Sequence, residues 1–152
     1  MNACTRIAPL LVCLALSACG GDDDAPPPQD SGMNDAAISD GGNTCMNQTL
    51  VVTNSGVSSW IIDGVSPDPT LTLCRGFTYT FQVSASGHPF AIHESAGVTS
   101  TSNRYAPGAG LTGQGVENGN LVFTPDGSAP ATLHYQCEAH AAMTGVLTIV
   151  DP

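Results

Sequence analysis

From residue 48 onward, apolar and polar side chains take turns in short runs. "FTYTFQV" is the clearest. Phe77, Tyr79, Phe81 and Val83 fall on one face, and Thr78, Thr80 and Gln82 on the other. That period of two is the mark of a half-buried strand. "QTLVVTN" and "SSWIIDG" come before it; "PFAIH", "NLVFT", "ATLHYQC" and "GVLTIV" come after. Turn-forming stretches separate the runs: "DGVSPDP", "SASG", "APGAG", "ENGN" and "PDGSAP". No long amphipathic helical pattern interrupts them. Seven or eight short strands without a helix predict an all-β Greek-key sandwich. Within it, His134 alternates against Leu133, Tyr135 and Cys137 and is expected to face outward. His93 and His134 are both expected to be solvated sheet histidines. Residues 94–119 form a long irregular excursion, with room for one short strand or a turn of helix. It offers no clear chemistry of its own.

The pattern changes before residue 44. Arg6 is followed by an apolar run, Ile7 to Leu16, too short to span a bilayer as a mature helix. It ends in Leu16-Ser17-Ala18-Cys19, which resembles the bacterial lipobox. The resemblance implies a signal peptide over residues 1–18, cleavage before Cys19, and lipidation of the Cys19 thiol and the new amino terminus. Acyl chains of this kind anchor a protein firmly at a membrane surface. The expected place is a bacterial cell envelope, on the periplasmic or outer-membrane/surface side. The alternative is an ordinary signal peptide with an incidental cysteine. Residues 19–43 are rich in Gly, Pro, Ser and Asp with no apolar face, so a flexible tether is predicted. The domain then runs from 44 to 152.

Charge removes some function classes. The chain has no lysine, three arginines and 13 carboxylates, for a formal charge of −10. Nucleic acid is excluded as a partner on that balance. Six of the carboxylates lie in the tether. The domain keeps seven against Arg75 and Arg104, so a docking partner is expected to be basic or neutral, with weak steering at most. The domain itself is expected to be a monomer.

The six cysteines are informative. Cys4 and Cys13 leave with the expected signal peptide, and the lipobox resemblance assigns Cys19 to the lipid. Cys45, Cys74 and Cys137 remain, an odd number in an oxidising compartment. Cys45 stands just before the first strand and Cys74 just before "RGFTYTF". A bridge between them closes a loop of about 30 residues, leaving Cys137 as the free thiol.

Cys137 heads "CEAHAAM", a loop between two strand-like runs. A thiolate, an imidazole and a thioether at this C-x₂-H-x₂-M spacing, Cys137, His140 and Met143, can converge on one ion. Soft sulfur with imidazole selects copper over hard cations. Two histidines and a cysteine with a weak axial methionine make an electron-transfer copper site. The second histidine must come from elsewhere. His88, in "SGHPFAIHE" at the mouth of a strand, is the first choice and His93 the second. His93 lies five residues further on, at opposite parity.

"GHPFAIH" together with "LHYQCEAHAAMTGVLTIV" resembles the cupredoxins, the small blue copper proteins such as plastocyanin and amicyanin. The ligand-loop spacing is similar to the short loop of amicyanin. The resemblance implies a cupredoxin-like fold and one type 1 copper ion held by His88, Cys137, His140 and Met143. It also implies single-electron transfer, with His140 as the exposed port. Pro89, Phe90, Ala141 and Ala142 are expected to rim that port. Partners would be a redox protein such as a cytochrome or oxidase, and a membrane through the lipid anchor. Two departures stand out. Pro89 occupies the position of the family's asparagine, so that residue's hydrogen bond to the ligand loop must be absent or replaced. The segment between His88 and Cys137 is also longer than in the smallest members. Alternative functions are copper capture and delivery, or a metal-free adhesion or assembly sandwich. An enzyme with an open copper centre would need Glu138 at the metal; Glu138 is expected instead to be a solvated loop charge. No nucleophile–base pair stands out, and the chain is not expected to be an enzyme.

Overall fold

The computed structural model describes residues 44–152. The signal peptide, Cys19 and the tether lie outside the described residues. Among these residues the strands are β1 (Gln48–Ser55), β2 (Ser59–Ile62), β3 (Leu71–Cys74), β4 (Tyr79–Ser84), β5 (Phe90–His93), β6 (Leu111–Thr112), β7 (Asn118–Phe123), β8 (Thr132–Cys137) and β9 (Thr144–Val150). One 3₁₀ turn covers Thr101–Asn103. The strands form two sheets, in the orders β2-β1-β4-β7-β6 and β3-β9-β8-β5. The β1–β4 and β3–β9 pairs are parallel, and the other pairs are antiparallel.

The alternation in β4 does what period two demands: Tyr79, Phe81 and Val83 are buried, while Gln82 and Ser84 are exposed. One sheet contributes Val52, Trp60, Ile62, Phe81, Leu121 and Phe123 to the core; the other contributes Leu73, Phe90, Ile92, Leu133, Tyr135 and Leu147. Aromatic rings bridge the two. Phe90 lies 5.0 Å from Trp60 edge-on, 5.4 Å from Phe81, and 5.8 Å from Tyr135 in a stacked arrangement. Each such pair adds about 0.5–1.5 kcal/mol beyond its buried area.

Two strands exceed the seven runs visible in the sequence. "LTLC" is only four residues long and follows two prolines, yet it forms β3. It gains its ladder from a distant partner, with Leu71 opposite Leu147 and Cys74 opposite Val150. β6 has only two residues and pairs with β7. The excursion therefore holds both a short strand and a helical turn.

The register places the functional end. Phe90 faces Cys137 across β5–β8. His88, two residues before Phe90, therefore arrives at the end of the sheet where β8 turns into β9. Cys45 and Cys74 are bridged, 29 residues apart in sequence, and Cys137 is the free cysteine among the described residues.

Replacing both bridged cysteines, Cys45→Ala with Cys74→Ala, is expected to lower the unfolding free energy by about 3–4 kcal/mol. Urea unfolding of the oxidised protein and the double variant measures this. A loss below about 1 kcal/mol would show that the bridge does little for the fold.

Candidate metal centre

The loop from β8 to β9 is closed at its base. The Cys137 N–H donates to the Met143 carbonyl at 2.9 Å, and the Met143 N–H donates to the His140 carbonyl at 3.1 Å. Six residues after the cysteine, the chain has thus returned to its side. Met143 is fully buried in the same core cluster. Its carbonyl also accepts the indole N–H of Trp60 at 3.1 Å.

His88 is carried by a tight turn. Its N–H donates to the Ala85 carbonyl at 2.9 Å, and the Gly87 N–H donates to the Glu117 carboxylate at 2.8 Å. Gly87 has φ of +80°, a conformation glycine adopts without steric cost. Glu117 grips this turn twice, since its own carbonyl accepts the Ala85 N–H.

These two segments bring His88, Cys137 and His140 together, with donor atoms all within 4.8 Å of one another. Cys137 Sγ is 3.7 Å from His88 Nδ1 and 3.5 Å from His140 Nδ1. Bonds of about 2.0–2.3 Å to one ion, spread trigonally, separate neighbouring sulfur and nitrogen donors by about 3.6–3.8 Å. The donor spacing fits a single ion, and the donor chemistry fits type 1 copper. Cys137 and His88 are buried; His140 is half-buried and is the most open of the three. The two imidazole rings lie 4.7 Å apart, and Trp60 meets His88 edge-on at 6.3 Å. Burial pushes the Cys137 thiol above its ordinary range. The Glu138 and Glu117 carboxylates add to that, against the pull of the Ala139 and His140 N–H groups. A bound metal ion displaces this proton.

Two further ties hold the ligand loop. The Glu138 N–H donates to the Pro89 carbonyl at 3.0 Å, which joins the ligand loop to the His88 segment through the backbone. Gln136 supplies a second tie. It is fully buried, and its amide nitrogen lies 2.8 Å from the Cys137 carbonyl and 3.2 Å from the carbonyls of His140 and Met143.

Several expectations need correction. His93 is not a solvated histidine but wholly buried, because the excursion covers the outer face of β5. It takes no part in the donor group. Its Nε2 lies 3.3 Å from Glu138 Oε1. Glu138 is not a solvated loop charge: its side chain is 8% exposed, and Arg104 forks onto both its oxygens at 2.5 and 2.6 Å. Burial works to raise the Glu138 carboxyl, but Arg104 and His93 outweigh it and hold the group below its usual range. His93 Nε2 therefore donates to an ionised carboxylate. His134 is half-buried rather than solvated. Phe90 is entirely buried in the aromatic core and rims nothing, whereas Ala141 and Ala142 are exposed. The excursion carries chemistry after all, in Arg104 and Gln114. Arg104 lies 34 residues from its carboxylate partner, so no local pattern announces the pair. The one available hint was that Arg104 and Arg75 are the only cationic residues of the domain.

No protein-family model matches the chain, and no curated protein matches it either. Among solved structures, the copper protein rusticyanin is similar at 23% identity, covering 67% of this chain and 76% of that one, with a TM-score of 0.43. Reduced rusticyanin is similar at 24% identity, covering 67% and 78%, with a TM-score of 0.44. An amicyanin variant with Cu(I) is similar at 20% identity, covering 67% and 82%, with a TM-score of 0.39. Rusticyanin and amicyanin are cupredoxins.

In the metal-free protein, a buried thiol with a raised proton affinity is expected to resist alkylation. Reaction of Cys137 with a thiol reagent near pH 8 should be roughly a hundredfold slower than in denaturant. A native rate equal to the denatured one would show that the ligand loop stands open.

Proposed function

We propose that this chain is a membrane-tethered electron carrier that holds one copper ion through His88, Cys137, His140 and Met143. The observation that carries the proposal is the convergence of the Cys137 thiol with two imidazole Nδ1 atoms at 3.5 and 3.7 Å. When bound, copper supplies the one-electron couple between Cu(I) and Cu(II).

The chain's own residues do the rest. Cys137 gives up its proton and provides the strong thiolate bond. His88, buried and held by the Glu117-bound turn, is the fixed imidazole. His140, half-open beside exposed Ala141 and Ala142, is the route by which an electron enters or leaves. Met143 is the weak fourth donor, which helps set the potential. Trp60, Phe90 and the backbone ties around Met143 exclude water and keep the loop from relaxing. A carrier needs this: donors that stay in place between the two oxidation states make electron movement fast. The lipidated Cys19 and the acidic tether would keep the domain near a membrane, within reach of a redox protein such as a cytochrome or oxidase.

The test is addition of Cu(II) to the purified protein, with visible spectroscopy and voltammetry. The expected result is an intense thiolate-to-copper band and a reversible one-electron wave. Cys137→Ser should abolish the band and His88→Ala should strongly alter it. His93→Gln should keep it. A colourless protein that binds copper no better than its Cys137→Ser variant would overturn the proposal. An irreversible wave combined with release of Cu(I) to an acceptor would point to copper delivery instead.

A further inference from the structure

The two residues that flank Cys137 are both polar and both held from outside the ligand loop; Gln136 is fully buried and the Glu138 side chain is 8% exposed. Strand alternation sends Cys137 inward and sends Gln136 and Glu138 to the opposite face. That face is covered by the excursion after β5. The excursion is stitched down along β5. Tyr105 N–H donates to the Ile92 carbonyl at 2.8 Å. The Gln114 side chain accepts the Ile92 N–H at 2.7 Å and donates to the carbonyls of Ile92 and Tyr105. Gly115 N–H and the Phe90 carbonyl, with Phe90 N–H and the Val116 carbonyl, close its far end at 2.9 and 2.8 Å.

From this strap two polar grips reach the ligand loop. Arg104 forks onto Glu138. The Gly97 N–H donates to the Gln136 side-chain oxygen at 2.8 Å. That contact orients the Gln136 amide so that its nitrogen faces the carbonyls of Cys137, His140 and Met143. Gly115 packs directly against the Arg104 guanidinium at φ +78°, where a side chain would collide with it. The guanidinium, on a side chain 31% exposed, is thus backed on one side by Gly115 and forked onto the carboxylate on the other.

We infer that Arg104 and Gln136 are positioning residues of the metal centre, and that residues 94–116 are a clamp that holds the ligand loop closed with or without metal. That the clamped loop is a copper loop rests on the function proposed above; the clamping itself does not. Neither residue touches the donor atoms. Each acts through the backbone on either side of Cys137, fixing the direction in which the thiol points. A loop already ordered before metal arrives binds its ion without a further ordering cost, and it changes little when the ion changes charge.

The test uses the full-length protein with Arg104→Gln/Glu138→Gln, which removes the fork without stranding a buried carboxylate, beside Arg104→Gln alone. Arg75→Gln is the control. Arg75 pairs with Asp151 beyond the far end of β9, about 20 Å of strand from the ligand loop. In the metal-free protein, the double variant should raise thiol reactivity of Cys137 and amide exchange over residues 137–143 by roughly tenfold or more. Arg75→Gln should change neither. In the copper-loaded protein, the double variant should shift the energy or intensity of the thiolate band and speed copper loss, again unlike Arg75→Gln. Unchanged loop exchange and thiol reactivity in the double variant would overturn the clamp. So would equal effects from Arg75→Gln, since the role would then be general stability. If the wild-type protein shows no thiolate band while the metal-free results hold, the copper proposal fails and the clamp stands.

Discussion

A single register, Phe90 opposite Cys137 in the β5–β8 pair, decides which side chains face inward at the functional end of the sandwich. Side chains alternate with period two, so a slip of one residue would turn Cys137 out and bring Gln136 or Glu138 in. Packing makes that slip expensive. Phe90 is locked among Trp60, Phe81 and Tyr135. Tyr135 lies across Gly145 in β9, its cross-strand partner, at a closeness no side chain at 145 would allow. The Tyr135 hydroxyl donates to the Pro69 carbonyl at 2.6 Å. Large buried rings thus set the register, the register aims the thiol, and the loop that follows returns His140 to it.

The same end of the molecule gathers charge that must be balanced in a low-dielectric setting. Glu138 is next to Cys137, and an unpaired buried carboxylate there would be costly. Arg104 meets it with two charge-assisted hydrogen bonds. His93 adds a third donor. The outer face of β5–β8 is therefore a polar layer in which Glu138 is fully paired while the Nδ1 atoms of His93 and His134 have no hydrogen-bond partner, laid against an inner face of aromatic and aliphatic side chains. The His88, Cys137 and His140 donor atoms sit where the two layers end. This explains why a chain so short of cations places one of its few arginines within the excursion, forked onto Glu138.

Much of this was legible in the amino-acid sequence. Period two in "FTYTFQV" and the runs around it foretold the sheets, and odd cysteine arithmetic singled out Cys137. The spacing of Cys137, His140 and Met143 marked the loop, and the place of His88 at the mouth of a strand favoured it over His93; the structure brings His88, Cys137 and His140 together. What escaped notice shares one physical cause. β3 exists because of a parallel partner more than 70 residues away. Glu138 looked like a loop charge because its arginine sits in an irregular segment with no periodic signal. His93 looked solvated because alternation tells which face a residue takes, not what lies on top of that face. Gln136 broke the simple in–out rule because a covering strap can bury the outer face as well.

The central claim is that the fold, not the ion, brings the donor atoms together. Crystal structures of the metal-free, Cu(I) and Cu(II) forms of the protein test it most directly. The account predicts that the separations of Cys137 Sγ from His88 Nδ1 and His140 Nδ1 differ among the three by no more than a few tenths of an ångström, with the ion bound between them. A metal-free form whose ligand loop has swung away from His88, or a copper ion held by other side chains, would contradict it.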